Sequence, residues 1–264
     1  MAEGGGRVSP RRAVILAAGM GSRLYPLTAD RPKAMVAMLD EPVLHRSIRN
    51  LARRGITQIA VVVGYEADFV MRETGAHLSG ADITYVVSPE YHRTGTAVSL
   101  LQAATFMTED VLVLEADVLF EDDLLERLLE NSAGTSLAAI AAFEPPLSGT
   151  VVTLAAGTRI ASFTRGVPAG EMAGSFKTVN LYWFTRAFLS ERIVPALERS
   201  AAQAPMAYVE DVLAALVAED PSAMTGVDCT DCRWFEVDDH ADLDHARRLF
   251  GQPARGDEDA QISR

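Results

Sequence analysis

Hydrophobic residues run without interruption through Ala13-Val-Ile-Leu-Ala-Ala18, the pattern of a strand buried on both faces. Between Pro42 and Arg54 the period changes. Val43, Leu44, Ile48 and Leu51 recur at helical spacing, and Gly55 stops the helix. Further apolar runs predict strands over 58–63, 82–87 and 111–115, with helices over 96–106 and 121–130. Strand and helix alternating through this half of the chain predict a mostly parallel, doubly wound α/β sheet.

Past residue 136 the pattern shortens. β-like runs at 137–143, 151–154 and 160–163 are broken by Pro, Gly and Ser. A strand over 177–184 follows, then helices over 185–200 and 208–218, a short run at 233–237 and a closing helix over 241–249. The whole predicts one α/β sheet with an inserted β-rich region. Residues 1–10 are polar and Gly-rich and lack the apolar core of a secretory signal. They are expected to be a disordered leader, and 251–264 a disordered tail.

Composition narrows the function classes. A net charge of -12 over 264 residues argues against a nucleic-acid-binding surface, which needs a basic footprint. No apolar run reaches the roughly 18 residues of a membrane span, so no membrane partner and a cytoplasmic location are expected. Cys229 and Cys232 form a C-x-x-C without the second pair that a structural zinc would need. Reduced thiols are the expectation.

Charge also marks candidate chemistry. Among 24 basic residues the lysines are Lys33 and Lys177, and both fall in motif-like segments. An ammonium is a compact point charge that fits between phosphate oxygens, where the planar arginine fork is bulkier. Lys33 closes Leu16-Ala-Ala-Gly-Met-Gly-Ser-Arg-Leu-Tyr-Pro-Leu-Thr-Ala-Asp-Arg-Pro-Lys33, a glycine loop placed directly on the first strand. Gly19 and Gly21 let the backbone turn and bring N–H groups against an anion, and Arg23 and Arg31 add local positive charge. Leu24 stands where the dinucleotide fingerprint needs its third glycine, which disfavours a nicotinamide-dependent dehydrogenase. The P-loop order is missing too.

Carboxylates supply the other half. Asp117 ends an apolar strand, and open α/β sheets bind ligands at the carboxyl ends of strands. Glu236 and Asp238, two apart on a strand, point to one face. Asp117, Glu236 and Asp238 together offer hard oxygen ligands for Mg²⁺. Asp238 or Asp239 also suits the N-cap of the closing helix, with Asp239 the better cap. Asp122 and Asp123 open a helix as first-turn acids. Glu210 and Asp211 also lie in a first turn, as a cap or a ligand contact.

The order G-x-G-x-R, then Pro26-Leu-Thr, then Pro32-Lys33 resembles the nucleotidyltransferase signature. Glu115-Ala-Asp117, Lys177-Thr-Val-Asn-Leu-Tyr-Trp-Phe184, Tyr208-Val-Glu-Asp-Val-Leu213 and Trp234-Phe-Glu-Val-Asp238 extend this. Over residues 11–250 the chain resembles the cytidylyltransferases that activate phosphocholine and small phosphonates. The resemblance implies one nucleotidyltransferase domain whose β-rich region binds the acceptor. It implies transfer of CMP from CTP to a small (hydroxy)alkylphosphonate or phosphate monoester, with Mg²⁺ and release of pyrophosphate. Leu16, Ala17, Ala18, Gly19, Met20 and Gly21, with Ser88, Thr94 and Gly95, are then expected to bind the nucleotide. Arg23 and Lys33 hold the triphosphate, Lys33 at the α-phosphate. Lys177 neutralises the acceptor's phosphonate, with Asn180, Tyr182 and Tyr208 beside it.

Two departures from the resemblance shape these expectations. Ser88, Gly95 and Thr96 stand where similar proteins often carry asparagines. Leu147 and Ser148 stand where choline-type relatives tend to show an aromatic residue and an Asp, so a hydroxylated acceptor is expected over a quaternary amine. The alternatives are a sugar-1-phosphate nucleotidyltransferase, a phosphocholine cytidylyltransferase and a silent binding subunit of the same fold. A silent subunit predicts losses among Arg23, Lys33 and Asp117, and all three are present.

Overall fold

The computed structural model describes residues 12–132, 134–167 and 174–251. The expected leader, and the expected tail beyond Gly251, lie outside them. The chain starts with β1 (Arg12–Ala17) and passes through 3-10 turns at Ser22–Leu24 and Lys33–Met35 into the short pair β2 (Ala37–Met38) and β3 (Glu41–Pro42). Then come α1 (Val43–Arg53), β4 (Gln58–Val63), α2 (Ala67–Thr74), β5 (His77–Leu78), β6 (Ala81–Val87) and α3 (Thr96–Gln102). They are followed by β7 (Val111–Glu115), β8 (Val118–Phe120), α4 (Asp122–Glu130), β9 (Ser136–Ala142), β10 (Val151–Leu154), β11 (Ile160–Thr164) and β12 (Phe176–Phe184). A π turn (Leu189–Ile193) joins α5 (Arg186–Phe188) to α6 (Val194–Gln203). The last elements are α7 (Val209–Glu219), β13 (Met224–Asp228), β14 (Trp234–Glu236) and α8 (His240–Phe250).

The central sheet keeps the order β6-β4-β1-β7 for its parallel strands. β4 and β6 follow β1 on one side and β7 lies on the other, so the order reverses between β1 and β7. At such a switch point the loops after adjacent strands diverge and open a crevice. The apolar runs behave as their composition requires. Ala13, Ile15 and Ala17 face one apolar cluster with α1 and α4, while Val14 and Leu16 face another with α3, α6 and α7. Both faces of β1 are therefore dry.

The β-rich half joins the same sheet. β12 pairs antiparallel with β7 through Leu181–Phe184, then leans onto β9 and β10 through Phe176–Thr178. The register shifts between Thr178 and Tyr182, and Asn180 at the shift has φ 60°. Asparagine tolerates this left-handed conformation better than most residues. The result is a bulge that re-aims the strand. A third apolar cluster holds Leu24 and Val36 from the loop after β1 against Leu119, Phe235 and Leu243. It ties the glycine loop to β8, β14 and α8.

Boundaries shift where local chemistry overrides periodicity. The helix over 96–106 ends at Gln102 and continues as hydrogen-bonded turns to Met107. Besides the two-residue strands β2, β3 and β5, three elements escape the pattern altogether. α2 is short and starts from Glu66 at φ 48°. β8 follows β7 after two residues. β13 carries Gly226, where a Cβ would lie 2.7 Å from Ile140 Cδ1, so the glycine marks close strand packing. Among the described residues no helix is long and apolar enough to cross a membrane.

Candidate active site

The loop after β1 turns at Gly21, whose φ of 72° suits glycine. A Cβ there would lie 2.4 Å from Lys33 Cβ. Gly21 therefore also makes room for the lysine stem, and Thr28 Oγ1 fixes its carbonyl at 3.0 Å. Lys33 Nζ sits between two carboxylates, paired with Asp117 Oδ2 and 2.8 Å from Asp238 Oδ1. Arg23 Nη2 reaches the same Asp238 oxygen at 2.9 Å. Burial alone would push the Lys33 ammonium down, but Asp117 and Asp238 together hold its pKa well above the usual lysine value. Burial would likewise raise Asp238, yet Lys33 and Arg23 keep it below the usual range.

Across the cleft, β14 pairs antiparallel with β8, setting Glu236 opposite Val118. The Val237 N–H donates to Asp117 O at 3.0 Å. This short ladder brings Glu236 to the end of β7. Glu115, Asp117 and Glu236 each offer an oxygen within 4.8 Å of the other two. Asp117 Oδ1 is buried with no hydrogen-bond partner. Three convergent carboxylates, with Asp117 Oδ1 unsatisfied, could hold a divalent metal ion. Burial, with Asp117 and Asp238 nearby, pushes Glu236 up to about 6 despite Lys177. Burial and the neighbouring Glu210, Asp117 and Glu236 raise Glu115 as well.

These groups line a cleft of about 620 Å³. Of the residues expected from sequence, Leu16, Ala17, Ala18, Gly19, Gly21, Arg23, Lys33, Thr94, Gly95, Asp117, Asn180, Tyr208, Glu236 and Asp238 form its walls. Met20, Ser88, Lys177 and Tyr182 do not. Met20 is exposed on the loop. Ser88 is buried, its Oγ 3.1 Å from that of Ser99, and it is Ser99 that reaches the cleft. Lys177 is 1 % exposed; it donates to Glu236 Oε2 at 2.6 Å and to Thr178 O at 2.9 Å. It holds Glu236 and does not itself line the cleft. Gly149, at φ 124°, lets the chain close over it, with a Cβ position 3.1 Å from Lys177 Cε. Tyr182 OH donates to Asn180 Oδ1 and Asn180 Nδ2 to Glu236 Oε1, each at 3.2 Å. Both residues thus orient Glu236 from below.

Asp238 pairs with the two cations, while Glu115 stands with Asp117 and Glu236 in the carboxylate triad. The signal for Glu115 was present in its position two residues before Asp117. Asp239 caps α8 in a reciprocal pair with Asp242. At α7, Asp211 accepts from the Tyr208 N–H at 2.8 Å, while Glu210 lines the cleft. Leu147 packs against the apolar clusters and Ser148 lines the cleft. Cys229 and Cys232 are free thiols buried in the cluster behind Trp234.

A glycine loop with two cations, facing carboxylates at the switch point of a doubly wound sheet, defines an α/β protein built to hold an anionic ligand at its strand ends. Residues 12–248 match the Nucleotidyl transferase family, and the chain belongs to it. It is 38 % identical, over 92 % of its length, to CMP-5'-(3-aminopropyl)phosphonate synthase of Streptomyces rubellomurinus, of which it covers 39 %. It is 34 % identical, over 44 % of its length, to CTP:phosphoglutamine cytidylyltransferase of Campylobacter jejuni, covering 47 % of that protein. The chain spans less than half the length of the first curated relatives it matches. The inositol-1-phosphate CTP transferase from T. maritima superposes with a TM-score of 0.75 at 20 % identity, covering 92 % of this chain and 95 % of that one. CTP:phosphocholine cytidylyltransferase from Streptococcus pneumoniae gives 0.70 at 16 %, over 90 % and 98 %. At these identities the likeness is one of fold.

Proposed function

We propose that the cleft transfers CMP from CTP to an oxygen of a small alkylphosphonate. The observation that carries this reading is the Lys33 ammonium held between Asp117 and Asp238, beside the triad Glu115, Asp117 and Glu236. A point cation next to a carboxylate triad is what charge shifting at an α-phosphate requires. The Streptomyces relative, a synthase of a CMP-phosphonate, supports the choice of base and acceptor.

A phosphonate is already an anion near neutral pH, so its oxygen needs no strong base. That oxygen bonds to the α-phosphorus while the bond to the bridging α–β oxygen breaks in line, and pyrophosphate leaves with the electron pair. The protein's task is positioning and neutralisation. Backbone N–H groups of the glycine loop and Arg23 receive the β- and γ-phosphates. Lys33 meets the α-phosphate. Glu115, Asp117 and Glu236 would hold Mg²⁺, which would supply charge neutralisation during the transfer. Lys177 and Asn180 are positioning residues: they fix the two oxygens of Glu236 so that the triad is assembled in advance.

Pyrophosphate release from each of the four nucleoside triphosphates tests the reading, with alkylphosphonates, phosphocholine and sugar 1-phosphates as acceptors. CTP with a phosphonate is the expected pair. Turnover confined to a sugar 1-phosphate would replace it with the sugar-nucleotide alternative.

A further inference from the structure

Glu210 is a carboxylate of the cleft wall that forms no ion pair among the described residues, and it stands outside the carboxylate triad. It is 6 % exposed, lines the cleft, and its Oε2 is buried with no hydrogen-bond partner. Every neighbouring cation is committed elsewhere. Arg165 donates to Asp211 at 2.9 Å and lies over the Tyr208 ring, 3.6 Å from its centroid. Lys177 is bound to Glu236, Lys33 to Asp117 and Asp238, and Arg23 to Asp238. Glu115 repels Glu210 and belongs to the triad. A buried, unpaired carboxylate is costly to a fold and is kept where a ligand satisfies it.

We propose that Glu210 anchors a cationic end group of the acceptor, so that the favoured acceptors are ω-aminoalkylphosphonates. The inference rests on the phosphonate reading above and deepens it. The triad marks the phosphonate end, and Glu210 lines the same cleft of about 620 Å³. An ammonium donates up to three hydrogen bonds and cancels the charge that burial penalises; a hydroxyl donates one and leaves the charge in place. Leu147 and Ser148 favoured a hydroxylated acceptor because the family's cation-reading place is lost there. The structure supplies a cation-reading group on a different element, and the preference reverses.

The test uses three acceptors of one length: 3-aminopropyl-, 3-hydroxypropyl- and propylphosphonate. CMP transfer is followed for the full chain and for Glu210→Gln, and binding of each acceptor is followed by calorimetry with Mg²⁺. The wild type is expected to favour the amino compound at least tenfold in kcat/KM, and Glu210→Gln to reduce that ratio to within about threefold. In the calorimeter the wild type is expected to bind the amino compound most tightly. Equal use of the amino and hydroxy compounds by the wild type overturns the proposal, as does a Gln variant that keeps the amino preference. A variant that fails to fold leaves the wild-type ratio to decide. Absence of CMP transfer to any phosphonate sinks the phosphonate reading instead, and calorimetric discrimination among the three then decides Glu210 by itself.

Discussion

At the scale of single residues the site is a set of charges sorted by burial. Lys33 is wedged between Asp117 and Asp238 with its stem against Gly21. A planar guanidinium cannot reproduce this point contact with both carboxylates. Lys33→Arg should fold and lose at least about 100-fold in kcat/KM, the scale of removing one preorganised charge contact; steady-state rates of the purified variant decide it, and a variant within a few-fold of wild type would contradict the argument. Glu236 gives a pH signature. The unfolded carboxyl ionises near 4.5 and the folded one near 6. Between these values the fold keeps a proton that the unfolded chain has released, so stability falls as pH rises through this window, by at most about 2 kcal/mol. Urea unfolding at pH 4.5 and 6.5 in chelator reads it. Activity should move oppositely, falling below pH 6 as Glu236 gains a proton, and this acid limb should shift to lower pH as Mg²⁺ is raised. A metal-independent limb would remove Glu236 from the triad. Sequence made Arg23, Lys33 and Asp117 legible because loop and strand end announce them. The burial of Lys177 was not legible, since Gly149 and the bulge that seal it are set by tertiary packing.

At the scale of elements, β12 decides how the β-rich half meets the alternating half. Its bulge at Asn180 combines a left-handed backbone with two side-chain hydrogen bonds. Two substitutions separate these. Asn180→Gly keeps the backbone and loses the bonds, while Asn180→Ala loses both. Urea midpoints should place Ala below Gly by about 1 kcal/mol, the cost of a Cβ in that conformation, and both variants below wild type by about 1–3 kcal/mol. Equal stability of the two variants would mean that backbone strain is not felt there. Gly95 has a comparable role at α3. A Cβ would lie 2.0 Å from Ala207 O, and its N–H donates to Pro205 O at 2.8 Å. Gly95→Ala should push residues 205–207 away and carry Tyr208 and Glu210 with them. Loss of the amino preference, together with raised amide exchange around 205–211, is the expected readout. Long periodic elements such as α1 and β4 could be read directly. α2 and β13 could not: the first starts from Glu66 in a left-handed conformation, and the second hides its strand character behind a glycine packed against Ile140 and Leu154.

At the scale of the molecule, the fold places its chemistry where the strand order reverses. β1 contributes the glycine loop, β7 contributes Glu115 and Asp117, and the β8–β14 ladder delivers Glu236 and Asp238 from more than 100 residues further along the chain. The alternating half predicted this crevice. The β-rich half was legible as strands, but not as a continuation of the same sheet, because antiparallel pairing of β12 on β7 leaves no local signature. The central claim is that this crevice joins CMP to a phosphonate oxygen. ³¹P NMR of the reaction of CTP, Mg²⁺ and 3-aminopropylphosphonate tests it most directly, with wild type and Asp117→Asn side by side. The account predicts a coupled pair of resonances from a new P–O–P linkage, with equimolar pyrophosphate, in the wild type alone. Free CMP and unchanged phosphonate, or equal product from Asp117→Asn, would contradict it.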